Sequence, residues 1–392
     1  MKSLLSRAIY HTGQRSLKRL VNSKADNINE NKTPLRRLLQ DASAFAEVGA
    51  VTPAEGELEW ATQPYTINSK KETTSYIDPK DTTVLLFPGQ GSQHVGMGRR
   101  LLEVPAAKDL YELAASIVGW DVGRVCREGP EDELQRRCQT AVMVTSLGAL
   151  ELARETRPGA VERVRAVAGF SLGEISALVF AGSLPFEQAL RLVELRAAAM
   201  EAAARERSGG MLTVWLTPDA TLARLLAAAR QHAVSSDLPD PVCQIANYLF
   251  PGCKVLAGDE AALRFVEKEG RAFGVRRSAR VRVAGAFHTA LMARAELAVR
   301  DALRLCDVSA PRVRVVSCVD ARACGDAAAV RRRVARLTAA PVRWEQTLHA
   351  LYARPRDAAQ PLTLALGPGG ALRSTLKLVN ARAWDCSLQV DV

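Results

Sequence analysis

The chain has 392 residues, 48% of them apolar and 24% charged, and a formal charge of +11 at neutral pH. That length can bury a sizeable core and more than one structural unit, in the composition range of an ordinary globular enzyme. No apolar run is long enough to cross a bilayer, which excludes a membrane-spanning helix. The eight cysteines form no CxxC pair and no Cys/His metal spacing, so no metal is expected.

Residues 1–25 carry six Lys/Arg and no Asp or Glu, with serines and apolar residues interleaved. A basic, acid-free leader of this kind reads as a mitochondrial transit peptide, to be set apart from the fold. Residues 26–80 are polar and read as a linker or extension with one short helical pattern at 34–46. The positive charge left after the leader favours anionic partners, an acidic protein or a phosphorylated substrate. No nucleic-acid-binding motif accompanies it, and no nucleic-acid partner is expected.

The folded part opens at the apolar, β-branched run 83–87, stopped by Pro88-Gly89. Helical patterns follow at 98–118 and 141–156, then a strand at 164–169 and a helix from Gly173 to Ala181, ended by Gly182. Strands alternating with helices predict an α/β domain with a mostly parallel sheet. The middle reads β-α-β-β-α-β: 210–216, 219–231, 242–249, 253–258, 259–270 and 275–283. That order suits a small ferredoxin-like α+β subdomain inserted in the large domain. The expected division is 81–207 for the first part of the large domain, 208–283 for the insert and 284–392 for the second part, with strands entering turns at 312–320 and 362–377.

Gly169-Phe170-Ser171-Leu172-Gly173 follows a predicted strand and opens a predicted helix, the setting of a serine nucleophile elbow. The spacing alone is weak, because glycine and serine are common in turns. Phe87-Pro88-Gly89-Gln90-Gly91-Ser92-Gln93 is a second glycine-rich turn. It lacks the GK[ST] ending of a P-loop and the GxGxxG spacing, so either a phosphate cradle or a close approach to another turn stays open on spacing alone.

Taken together, the FPGQGSQ string and a GxSxGE elbow about eighty residues later resemble the acyltransferase family. Within it the chain is similar to the malonyl-CoA:acyl carrier protein transacylases, over residues 83 to about 386. Most members carry His before the serine; Phe170 stands there here, which with the leader resembles the animal mitochondrial form. The resemblance implies Ser171 as nucleophile and His288, in GAFH, as its base; His94, His232 and His349 match no catalytic position, and His11 lies in the leader. It further implies an oxyanion hole from the backbone N–H groups of Gln90 and Leu172, and a backbone carbonyl at Arg343 to orient the histidine.

Arg196, on the helix after the serine, falls at the position that grips the free carboxylate of malonate, a task that suits a planar guanidinium. Phe287 would crowd a branched acyl group. Where relatives read Asn-x-Asn-x-Pro-Gly, this chain has Asn247 but Leu249 at the second Asn position. The implied partners are malonyl-CoA and acyl carrier protein, with no cofactor and no membrane span, in fatty acid synthesis in the mitochondrial matrix. The arginines at 276, 277, 280 and 282 and at 331–333 are candidate contacts for the acidic carrier. An α/β-hydrolase that shares the elbow, or a non-enzymatic scaffold that keeps the fold, are the competing readings.

Overall fold

Residues 78–392, apart from 236, 237, 284 and 356, are described by a computed structural model of the chain. The leader (1–25), all of the 26–80 extension but its last residues, its helical pattern, and Ala284 lie outside the described residues.

The first sheet is built around β1 (Thr83–Phe87), whose five residues are all buried. A strand covered on both faces needs a continuous apolar run rather than an alternating one, and TVLLF supplies it. β1 lies between β2 (Val164–Gly169) and β8 (Leu362–Leu366); β7 (Arg314–Val316) and β9 (Ser387–Val390) form the two edges. All four pairings are parallel. Register sets Phe87 beside Gly169, so the turns leaving β1 and β2 emerge next to each other at the carboxyl ends of the strands. Open α/β sheets bind their ligands at that edge.

Helices Cys138–Thr156 and Leu172–Phe180 pack on this sheet, and Pro105–Val118 and Phe186–Glu206 pack on those helices in the same core. The pattern at 98–118 divides into a short 3₁₀ turn at Arg100–Glu103 and a helix that starts at Pro105, because proline fits the first helical position. The second helix starts at Cys138 rather than 141, with Cys138 through Leu150 all buried. The strand predicted over 312–320 shrinks to three residues: beyond Val316 the chain leaves β2 in a turn with Ala321 at φ 58°, closed by Ser317 N–H on the Arg322 carbonyl.

The second sheet is antiparallel, in the order β4-β5-β3-β6, from β3 (Gly209–Leu216), β4 (Cys243–Phe250), β5 (Cys253–Asp259) and β6 (Val275–Arg280). Helices Leu222–Val234 and Glu260–Glu269 fall between the strands as the ferredoxin-like order requires. The two-residue period of β3 divides its side chains between two environments. Leu212 and Val214 join the core under the helices, whereas Met211 and Thr213 face a cavity above the first sheet. Backbone bonds fasten β4 to residue 342: Tyr248 N–H donates to the Val342 carbonyl and Val342 N–H to the Ala246 carbonyl, each at 2.8 Å.

Candidate active site

The turn out of β2 is set by two glycines. A Cβ on Gly169 would lie 1.9 Å from the carbonyl carbon of Gly173, and one on Gly173 would lie 2.2 Å from the Phe87 oxygen. Only hydrogen at both positions lets the helix start directly on the strand ends. Between them Ser171 takes φ 51° and ψ −102°, a conformation that L-residues adopt only when their surroundings enforce it. Ser171 is the N-cap residue of helix Leu172–Phe180, yet its side chain makes no capping bond.

Its hydroxyl turns instead toward two partners. His288 Nε2 lies 3.1 Å from Ser171 Oγ, and Nδ1 of the same ring lies 3.2 Å from the Ala340 carbonyl. A carbonyl only accepts, so Nδ1 carries the hydrogen and Nε2 is left as the acceptor for the serine proton. His288 is itself at φ 63°, with its N–H on the Thr338 carbonyl at 2.9 Å. Burial, and then the nearby Arg196 charge, push the imidazole down to about 3, so it is neutral at working pH.

The orienting carbonyl is thus that of Ala340, not that of Arg343. The Arg343 carbonyl is taken by the start of the helix Trp344–Tyr352, accepting from Thr347 N–H at 2.9 Å and from Thr347 Oγ1 at 2.8 Å. Its side chain stacks over Tyr248.

Arg196 is 1% exposed, and both of its hydrogen bonds go to neutral side chains: Nη1 to Gln139 Oε1 at 2.5 Å and Nη2 to Ser171 Oγ at 2.9 Å. Its Nε has no partner. Burial lowers its pKa to about 10, so the guanidinium stays charged at neutral pH. A desolvated cation is costly unless something pairs with it, and this one is turned toward the serine.

Phe170, Ser171, Arg196, Phe287, His288 and Trp344 line one cavity of about 360 Å³, which the Gly89–Ser92 turn also borders. Leu172 is the first residue of its helix, so its N–H has no acceptor within the helix. The Gln90 side chain accepts from Gln139 Nε2 at 3.3 Å. Phe170 packs edge-on against Trp344, ring centroids 5.5 Å apart, and Leu249 adds an apolar surface to the cavity wall.

The other histidines stand apart from the serine: His94 borders a neighbouring cavity with Arg373 and Lys377, His232 packs on Phe265, and His349 is exposed. Gln139 and Ala340 escape a reading of the sequence. Gln139 sits at the start of a buried helix with no motif around it, and a backbone carbonyl has no residue signature at all.

A parallel α/β fold with a serine on a strand-to-helix turn, a hydrogen-bonded histidine and a buried arginine defines the class. Residues 84–359 match the family described as acyl transferase domain, and the chain belongs to that family. It is 45% identical over 316 residues to the Drosophila melanogaster protein named "Probable malonyl-CoA-acyl carrier protein transacylase, mitochondrial", covering 80% of this chain and 83% of that one. Against the Homo sapiens malonyl-CoA-acyl carrier protein transacylase, mitochondrial, identity is 40% over 343 residues, covering 87% and 85%. The solved complex of a type II polyketide acyl carrier protein with its malonyl-transacylase matches with a TM-score of 0.69 and 30% identity, over 77% of this chain and 94% of that one.

Proposed function

We propose that the chain moves a malonyl group from malonyl-CoA to the phosphopantetheine thiol of acyl carrier protein, through a malonyl ester on Ser171. His288 Nε2 takes the Ser171 proton as Oγ attacks the thioester carbonyl. The oxyanion accepts hydrogen bonds from the N–H groups of Leu172 and Gln90, each such donor being worth roughly 10²–10³ in rate. The C–S bond then breaks, and the coenzyme A sulfur leaves with the proton held by His288. In the second half the carrier thiol gives its proton to His288 and attacks the ester; the bond to Ser171 Oγ breaks, and Oγ takes back the proton held by His288. One thioester becomes another, so the exchange needs no ATP.

The observation that carries this reading is Arg196: a buried guanidinium, without an anionic partner in its hydrogen bonds, 2.9 Å from the nucleophile and with Nε unpaired. A carboxylate on the acyl group supplies the missing charge and accepts two parallel bonds. Phe287 lines the same cavity, where it would crowd a branched acyl group. The basic leader and the mitochondrial names of the relatives support a place in the matrix.

Acyl carrier protein as acceptor is supported by the carrier complex among the matched structures. Of the arginine clusters, Arg280 is held by Glu260 and Glu267, Arg333 by Asp320, and Arg331 by the Leu303 and Cys306 carbonyls. Arg276, Arg277, Arg282 and Arg332 remain exposed to meet an acidic carrier.

Intact-protein mass after malonyl-CoA tests the reading. The chain should gain one malonyl group, and Ser171→Ala should gain none; a Ser171→Ala protein that still labels overturns it.

A further inference from the structure

Ser171-Leu172-Gly173-Glu174 at a helix start has the letters of a capping box, in which the serine oxygen caps an early N–H and the glutamate reaches back to the serine N–H. Neither side chain takes that role. Ser171 Oγ faces His288 and Arg196. Glu174, fully buried, turns under the helix, where Oε2 accepts the Cys318 N–H at 2.7 Å. The Cys318 carbonyl in turn accepts the Arg343 N–H at 2.7 Å. Arg343 ends the segment 338–343, whose Thr338 and Ala340 carbonyls receive the N–H and the ring Nδ1–H of His288. Both residues are thus diverted from the local interaction that their positions favour.

We propose that Glu174 is a positioning residue: through the Cys318 and Arg343 backbone it ties the helix that carries Ser171 to the segment that orients His288, and so holds Oγ and Nε2 in register. The tie runs through two short hydrogen bonds and three chain segments distant in sequence, and none of Glu174, Cys318 and Arg343 lines the cavity beside Ser171. It needs an acceptor oxygen at Glu174, not a negative charge. Burial pushes the carboxyl above the ordinary carboxylate range, which favours the neutral acid. The bond from the Cys318 N–H asks only for that oxygen, so an amide should replace the carboxyl and a side chain without oxygen should not. The inference rests on the reading that Ser171 and His288 react as a pair.

A fluorophosphonate probe tests the tie independently of the acyl substrate, because its capture requires an activated serine and no thioester. The limiting labelling rate of Ser171 per folded molecule and the half-saturating probe concentration are measured for the full chain and for Glu174→Gln, Glu174→Ala and Glu174→Asp. Glu174→Gln should label close to the wild-type rate. Glu174→Ala, and Glu174→Asp whose carboxyl is one methylene short, should lose roughly tenfold or more in limiting rate with half-saturation little changed, as misplacement of a reacting pair predicts.

A folded Glu174→Ala labelled at the wild-type rate overturns the proposal. So does a Glu174→Gln that falls as far as Glu174→Ala, since the acid itself would then be required. If Glu174→Ala does not fold, Glu174→Asp decides: wild-type labelling overturns the tie, and a slow limiting rate at unchanged half-saturation supports it. Should malonyl-CoA leave the wild type unmodified while the probe series runs as expected, the substrate reading fails and the tie stands.

Discussion

Replacing Arg196 by Ala tests how the site selects its acyl group. The guanidinium is buried, donates to Ser171 Oγ and Gln139, and keeps Nε free. Without it, a malonyl carboxylate enters a desolvated cavity unpaired, a loss on the order of 2–5 kcal/mol. At about 1.4 kcal/mol per decade, this is roughly 30- to 4,000-fold in kcat/KM for malonyl-CoA. Acetyl-CoA brings no carboxylate and loses none of this. It also meets a stronger base, because the Arg196 charge that helps to push the His288 imidazole down is gone. Acetyl transfer should therefore hold or rise while malonyl transfer collapses. Arg196→Lys should fall between, since an ammonium keeps the charge but cannot form the two-pronged bond. Single-turnover acylation with the two thioesters, read as serine ester by intact mass, gives the ratio directly. Equal losses for both acyl groups would refute the reasoning.

His288, neutral to about 3 in the substrate-free protein, should keep Ser171 labelling by a neutral probe level as pH falls from 8 to about 5. A fall with its midpoint near the ordinary histidine value of about 6.5 would show the ring to be hydrated and the buried geometry wrong. The same depression makes the unfolded chain bind a proton that the folded chain does not. His288 should therefore subtract stability as pH drops below about 6.5, an effect that His288→Asn removes from the pH dependence of urea unfolding. Gly173→Ala pushes a methyl to within 2.2 Å of the Phe87 oxygen and should leave little soluble folded protein. Gly91→Ala meets no atom within 4 Å and pays only for its φ of 104°, a Tm shift of a few degrees at about 1 kcal/mol. Arg196→Met removes a buried unpaired charge, and thermal unfolding should show a Tm equal to or above that of the wild type even as malonyl transfer is lost.

Patterns that arise from neighbours in the chain were legible, and those supplied across space were not. The apolar run TVLLF announces a strand, which the fold buries on both faces, and the β-α-β-β-α-β order of 210–283 announces the ferredoxin-like subdomain with its antiparallel sheet. The edge strand β9 is only four residues long, and nothing in SLQV distinguishes it from a loop until β8 is beside it. Patterning reaches the serine because its turn needs glycines on both sides. It does not reach the histidine, 117 residues further on, which only the family resemblance singles out. Even that resemblance places the orienting carbonyl three residues late. A carbonyl acts through its backbone position, and Thr347 has already claimed the one at Arg343.

Glu174 shows why local letters mislead at such a site. Read along the chain, Ser-x-x-Glu before an apolar helix asks for two short-range bonds, each satisfying a helix-end N–H. The packing of Gly173 on the β1 carboxyl end brings the helix start so close to the sheet that Ser171 is rotated to φ 51°, and its hydroxyl can no longer point along the helix. With the serine turned outward to His288 and Arg196, the glutamate is left to meet whatever lies below, and the group there is the Cys318 N–H. The strain at Ser171, the missing cap and the buried carboxyl thus have one cause, the contact between two backbones that only glycine permits. A methyl at residue 173 would therefore disturb all three together, which ties the placement of the serine hydroxyl to the same close approach that builds the fold.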